Sequence, residues 1–245
     1  ALVTAINKLA PRMEIISAER IHDELVKLIM GKTPRLGLTL LVETGLAEYV
    51  LPELPKLKLE VDEHHHHKDV YEHTLTVVDQ TIDYENDYNL HGDFVVRFAA
   101  LLHDIGKPKT RKFESGGAVS FHHHEVVGAR MARDRMRALH YANEDVDAVT
   151  RLVELHLRFH TYRMGWTDSA VRRYVRDAGD LLEELNVLTR CDCTTRNAKK
   201  AVMLSRRMDD LEVRIDELAA KEELAAIRPE LDGVEVMRHL GVELS

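Results

Sequence analysis

Cysteine, proline, glycine and aromatic residues are all scarce in this chain, and each scarcity excludes something. Two Cys in 245 residues cannot build a disulfide scaffold and suit a reducing compartment. Six Pro and 12 Gly leave few interruptions, which favours long helices. No apolar run approaches the roughly 18 residues of a membrane-spanning helix, so no membrane partner is expected. No charged-then-apolar leader opens the sequence, so secretion is not indicated and a cytoplasmic location is expected. An excess of positive charge is missing too: 42 Asp and Glu outnumber 34 Lys and Arg, for a net charge of −8. A uniformly basic nucleic-acid binder is thereby excluded, whereas a local basic face is not. What remains is ordinary for a folded protein, 44% hydrophobic and 31% charged, and excludes wholesale disorder. The chain starts at Ala1 rather than Met, as a processed protein or a piece of a longer one would.

Apolar residues recur at three and four throughout, the period of an amphipathic helix. Ile21, Leu25, Leu28 and Ile29 share one face behind Ser17, a candidate N-cap. Arg35 to Tyr49 reads as a helix broken at Gly45, and Pro52 and Pro55 then mark a boundary near Leu57. Asp69 to Tyr84 is helical again, and Phe94 to Leu102 is a strongly apolar helix stopped at Gly106 and Pro108. Phe113 to Phe121, with Gly116-Gly117, is a loop or short hairpin. Helices are expected at His124–Leu139, Glu144–Leu157, Asp168–Arg176, Leu181–Cys191, Ala198–Glu223 and Gly233–Leu240. Alternating strand patterns are almost absent, so the expected fold is all-α. The expected divisions are a helical neck at 1–57, a metal-binding helical domain at 58–195, and a helical body and tail at 196–245.

Histidine is what this sequence has in excess, at 15 residues. His103-Asp104 closes the apolar helix, and both groups would be costly to bury unpaired. Imidazole and carboxylate together suit borderline divalent metals. Adjacent residues diverge by about 100° on an α-helix, so one ion can sit between these two if other helices supply further ligands. His73, His124, His156 and Asp192 are the candidates, with His160 placed four residues after His156 on the same helical face. Such a centre activates water and holds phosphate oxygens. Lys107, about one turn after Asp104, either meets a phosphate or simply sits as a cation at a helix C-terminus. The four-histidine run His64–His67 reads as a solvated turn, with His67 alone near enough in sequence to approach the site. Cys191-x-Cys193 lacks the second pair a structural zinc site needs.

The ordered series His73, His103-Asp104, His124, His156, Asp192 resembles the HD superfamily of metal-dependent phosphohydrolases. The fuller set of ligands implies a two-metal site and the shorter set one metal, with Mg, Mn, Ni, Fe and Zn not distinguished. The stretch Ile16 to Leu25 resembles the neck of bacterial tRNA nucleotidyltransferases (CCA-adding enzymes) and poly(A) polymerases. Gly45-Leu46 leading to Leu51-Pro52-Glu53-Leu54, Cys191 to Asn197, and Leu231 to Met237 extend that likeness over nearly the whole chain, most closely to the actinobacterial form with an embedded HD domain. One departure matters: the family's catalytic head, with its Gly-Ser turn and metal-binding Asp-x-Asp, is missing. Asp145-Val146-Asp147 matches by spelling only and stands at a helix start. The resemblance therefore implies a C-terminal fragment without the transferase site. Its ligands would be His73, His103, Asp104, His124, His156 and Asp192, with Asp104 and Lys107 in the chemistry. Its partners would be tRNA, a phosphoester and the missing head.

Arg151 to Arg207 holds 12 Lys and Arg against 7 Asp and Glu. Arg172, Arg173, Arg176, Arg196, Lys199 and Lys200 form a stripe that could follow an RNA backbone or could be a solvated, ion-paired helix face. Tyr162, Trp166 and Tyr174 beside it could stack on a base or pack inside. Two rival readings stay open: a stand-alone HD nucleotide hydrolase, and a non-catalytic RNA-binding scaffold with a structural metal.

Overall fold

The computed structural model describes residues 2–59, 69–114, 119–164, 166–193 and 198–226. His64–His67, Gly116-Gly117, Arg196 and the helix expected at 233–240 lie outside the described residues. The rest is helical, as the periodicity requires. In order come α1 (Leu2–Leu9), α2 (Ala18–Ile29), α3 (Pro34–Glu43), α4 (Ala47–Val50), α5 (Glu53–Lys56), α6 (Val70–Asp87), α7 (Phe94–Leu102) and α8 (Lys107–Thr110). A hairpin of β1 (Lys112–Phe113) and β2 (Val119–Ser120) follows, pairing Lys112 with Ser120 and Phe113 with Val119. Then come α9 (His124–Ala138), α10 (Asn143–Leu155), α11 (Asp168–Ala178), α12 (Leu182–Asp192) and α13 (Ala198–Ala226).

The neck helices bury the face that the spacing marks. Ile21, Leu25 and Ile29 of α2 are buried, and Ser17 is the N-cap residue, although its side chain makes no capping bond. The break at Gly45 is real, because the chain there takes a φ of 72°, a region that favours glycine. Helix α7 is the axis of the fold. Its run from Val96 to Leu102 is buried on every side, which is why its sequence is apolar rather than amphipathic. It packs against α6, α10 and α12. Asp69 and Asp93 fix the starts of α6 and α7 by accepting from the backbone N–H of Tyr71 and Val96.

Helix α7 ends at Leu102, as expected, and a turn over 103–106 separates it from α8, where Pro108 stands in the first turn and its missing N–H costs nothing. One expectation is corrected. His156 and His160 do not share one α-helix face, because α10 ends at Leu155, His156 caps it, and His160 lies in a 3₁₀ segment from Arg158 to Met164. That tighter winding changes where the second histidine points.

Candidate metal centre

Five helices deliver polar side chains to one buried point, each from near an end. His73 sits in the first turns of α6, and His103-Asp104 follows the last residue of α7. His124 opens α9, His156 caps α10, and Asp192 closes α12. The six side chains form two sets of donor atoms, each set within 4.8 Å: His73, His103 and Asp192, and Asp104, His124 and His156. They are joined where His103 Nε2 lies 3.2 Å from Asp104 Oδ2. The structure thus brings these six side chains together.

The imidazoles are fixed in one tautomer by the backbone. Nδ1 of His103 lies 2.8 Å from the Ala100 carbonyl, that of His124 lies 2.8 Å from Phe121, and that of His156 lies 2.6 Å from Val153. Each Nδ1–H donates to the carbonyl three residues earlier, so each ring turns its Nε2 toward the cavity. No sequence signal announces this arrangement; it follows from histidine standing at a helix end. There the Nε2 atoms crowd against other ligand candidates. His103 Nε2 is 3.3 Å from His73 Nε2, and His124 Nε2 is 3.3 Å from Asp104 Oδ1. Nε2 of His124, Nε2 of His156 and Oδ2 of Asp104 are buried without an aligned hydrogen bond. Each such group costs about 1–3 kcal/mol when left so. A divalent cation is the species that this donor set fits, because it satisfies several lone pairs at once.

Electrostatics agree. Burial pulls the His103 imidazolium down, but Asp104 and Asp192 outweigh it and lift its pKa to about 10. Burial, with His103 and His124 adding to it, pushes His156 down to about 3. Burial raises Asp104 and Asp192, yet His103 foremost holds both carboxyls well below the usual carboxylate range. The cluster therefore holds ionised carboxylates and demands positive charge among them. Lys107 supplies part of it, with Nζ 3.0 Å from Asp104 Oδ2 and 5.6 Å from the centroid of the Phe121 ring. His160, placed beside the candidates by its spacing from His156, belongs to neither set of donor atoms, and its Nε2 lies 3.6 Å from Asp192 Oδ2. The thiols of Cys191 and Cys193, which flank Asp192, are pushed up to about 12 by burial and so stay protonated.

The residues set down for RNA are less uniform. Arg172 pairs with Glu222, and Arg176 lies 3.8 Å from Asp177. Arg173 and Lys199 are exposed and Lys200 is half-buried. The aromatics beside them pack inward: Tyr162 and Tyr174 are buried, with Trp166 5.2 and 5.4 Å from their ring centroids. Asp145 stands in the first turn of α10, where a carboxylate complements the helix dipole.

Comparison with known proteins finds matches over two stretches of the chain. Residues 1–57 match the probable RNA and SrmB-binding site of polymerase A. An A-adding tRNA nucleotidyltransferase of Deinococcus radiodurans is 31% identical over 234 residues, which are 95% of this chain and 52% of the relative. A CC-adding tRNA nucleotidyltransferase of Thermus thermophilus is 35% identical over 229 residues, 92% of this chain and 49% of that protein. A multifunctional CCA protein of Neisseria gonorrhoeae is 28% identical over 150 residues. The chain spans about half the length of the first two relatives. The HD domain matches residues 70–197, the stretch that contributes all six converging side chains. With just over half of its length in that match, the chain belongs to the HD domain family.

Proposed function

We propose that the six-residue cluster holds one or two divalent metal ions and that phosphoesters are hydrolysed there. The observation that carries this reading is the convergence of six donor side chains from five helices in two sets, each within 4.8 Å. His73, His103 and Asp192 would hold one ion, and Asp104, His124 and His156 a second. When bound, a divalent cation supplies Lewis acidity toward phosphoryl oxygens and favours water as nucleophile. The balance is simple: water gives its oxygen to phosphorus, the P–O ester bond breaks, and the departing alcohol takes a proton. Lys107 places a cation beside Asp104, where it would steady a phosphate. The backbone carbonyls of Ala100, Phe121 and Val153 keep the imidazoles oriented. The test is metal content after gentle purification, with phosphatase and 2′,3′-cyclic phosphodiesterase assays on wild type and Asp104→Ala. Bound metal and activity lost in the variant are the expected results. Metal without turnover would leave a structural centre in an RNA-binding scaffold.

We further propose that the chain is the neck, HD domain and body of a cytoplasmic tRNA nucleotidyltransferase, with divisions near residues 57 and 195. The match of residues 1–57 to an RNA-binding family and the names of the relatives support this. Arg172, Arg173, Arg176, Arg196, Lys199 and Lys200 would then contribute to tRNA binding, and the transferase head would be a partner. Loss of tRNA affinity with rising salt, and a shallower salt slope in Arg173→Ala, are the outcomes that a gel-shift titration should return.

A further inference from the structure

Between Lys107 and His124 the chain leaves the core and returns as the β1–β2 hairpin. Lys109, Arg111 and Lys112 are exposed, and no acidic residue occurs from Gly106 to Phe113. The next one, Glu114, accepts from the Ser120 hydroxyl at 2.6 Å. Phe113 is 74% exposed, so it adds almost nothing to the core. The Arg111 guanidinium lies 5.2 Å from the Phe113 ring centroid. β2 runs directly into Phe121, whose carbonyl orients His124 and whose ring lies under Lys107. Both strands are thus tethered to residues of the metal centre within a few positions.

We infer that this hairpin is a base-stacking and phosphate-binding platform that presents single-stranded nucleic acid to the metal centre. The inference rests on the hydrolase reading above. A single exposed aromatic is ordinary on a protein surface. This one carries a guanidinium over its ring, with the exposed Lys109 and Lys112 close in sequence, next to a centre suited to phosphoesters. An aromatic face accepts any base, arginine adds to the stack, and lysines follow the phosphates.

The test uses the full chain, a short fluorescently labelled single-stranded RNA, and bis(p-nitrophenyl) phosphate as a small phosphodiester. Binding is read by anisotropy in chelator, and hydrolysis with Mg²⁺, Mn²⁺ or Ni²⁺ added. Phe113→Ala should weaken RNA binding about tenfold, the effect of losing one base–aromatic stack. Phe113→Trp should restore it, and Lys109→Ala with Lys112→Ala should flatten its salt dependence. Hydrolysis of the small diester should stay unchanged in all of these. If the small diester is not hydrolysed by wild type with any metal, the hydrolase reading fails, and with it the claim about substrate. Unchanged RNA binding in Phe113→Ala overturns the platform itself, as does equal loss for RNA and small diester.

Discussion

Gly106 shows how one residue decides the geometry of the centre. A Cβ there would lie 2.2 Å from the His124 carbonyl oxygen and 2.7 Å from the Gly128 backbone nitrogen. Its φ is −76°, so the requirement is close approach of two backbones and not an unusual conformation. Only glycine lets the turn after Asp104 meet the start of α9, which sets His124 opposite Asp104. Gly106→Ala should therefore cost about 3 kcal/mol in urea unfolding, the upper range for overpacking, and should lower metal content by displacing His124. Histidines can be tested singly as well. His156 belongs to one donor set and has no part in the other. His156→Ala should halve the metal content measured by elemental analysis if two ions bind, and should leave the His73, His103 and Asp192 set loaded. Complete loss of metal in that variant would mean a single shared ion.

At the scale of elements, the centre is a meeting of helix ends, and that explains what the sequence made legible. Helices such as α6 and α9 follow from the period of their apolar residues, α7 from its apolar run, and the six ligand candidates from the chemistry of buried His-Asp together with the likeness to the HD superfamily. The α10 terminus was not legible, since nothing in Leu155-His156-Leu157 marks the switch to 3₁₀ winding that leaves His156 in the donor set of Asp104 and His124 while His160 faces Asp192. Nor were long-range pairs legible, because a charge in a helical repeat carries no address. Arg97, buried on α7, is the clearest case. It donates through Nε to Glu85 at 2.9 Å and through Nη1 to the carbonyls of Ile29 and Gly31 at 3.0 and 3.2 Å. It thereby caps the C-terminal end of α2 from inside the HD domain while neutralising a buried carboxylate. Removing one partner of a buried pair strands the other charge. Arg97→Met should cost about 3–5 kcal/mol in chemical denaturation, more than loss of an exposed pair such as Lys27–Glu24.

Over the whole molecule, the residues matched to an RNA-binding family and those matched to the HD domain share one hydrophobic core. Ile21, Leu25, Ile29, Leu38, Leu54 and Leu57 belong to the same buried cluster as Val70, Leu75, Phe98 and Leu101. Polar ties cross the same boundary: Arg35 reaches Glu72, Asp79 and Thr76 on α6, and Glu53 receives two donors from Arg135 on α9. His22 of α2 stacks on Tyr141 with ring centroids 4.0 Å apart. Parts joined in this way gain or lose structure together. A metal bound to the folded state alone stabilises everything coupled to its site, by about 2.7 kcal/mol when its concentration is 100 times its dissociation constant. Spread over a chain of this size, that is a rise of roughly 5–10 °C in Tm. Chelation should therefore lower one cooperative transition by that amount, with far-UV circular dichroism and Trp166 fluorescence following the same curve. Two separated transitions, only one of them sensitive to chelator, would mean that the neck folds on its own and that its contacts with α6 and α9 contribute little.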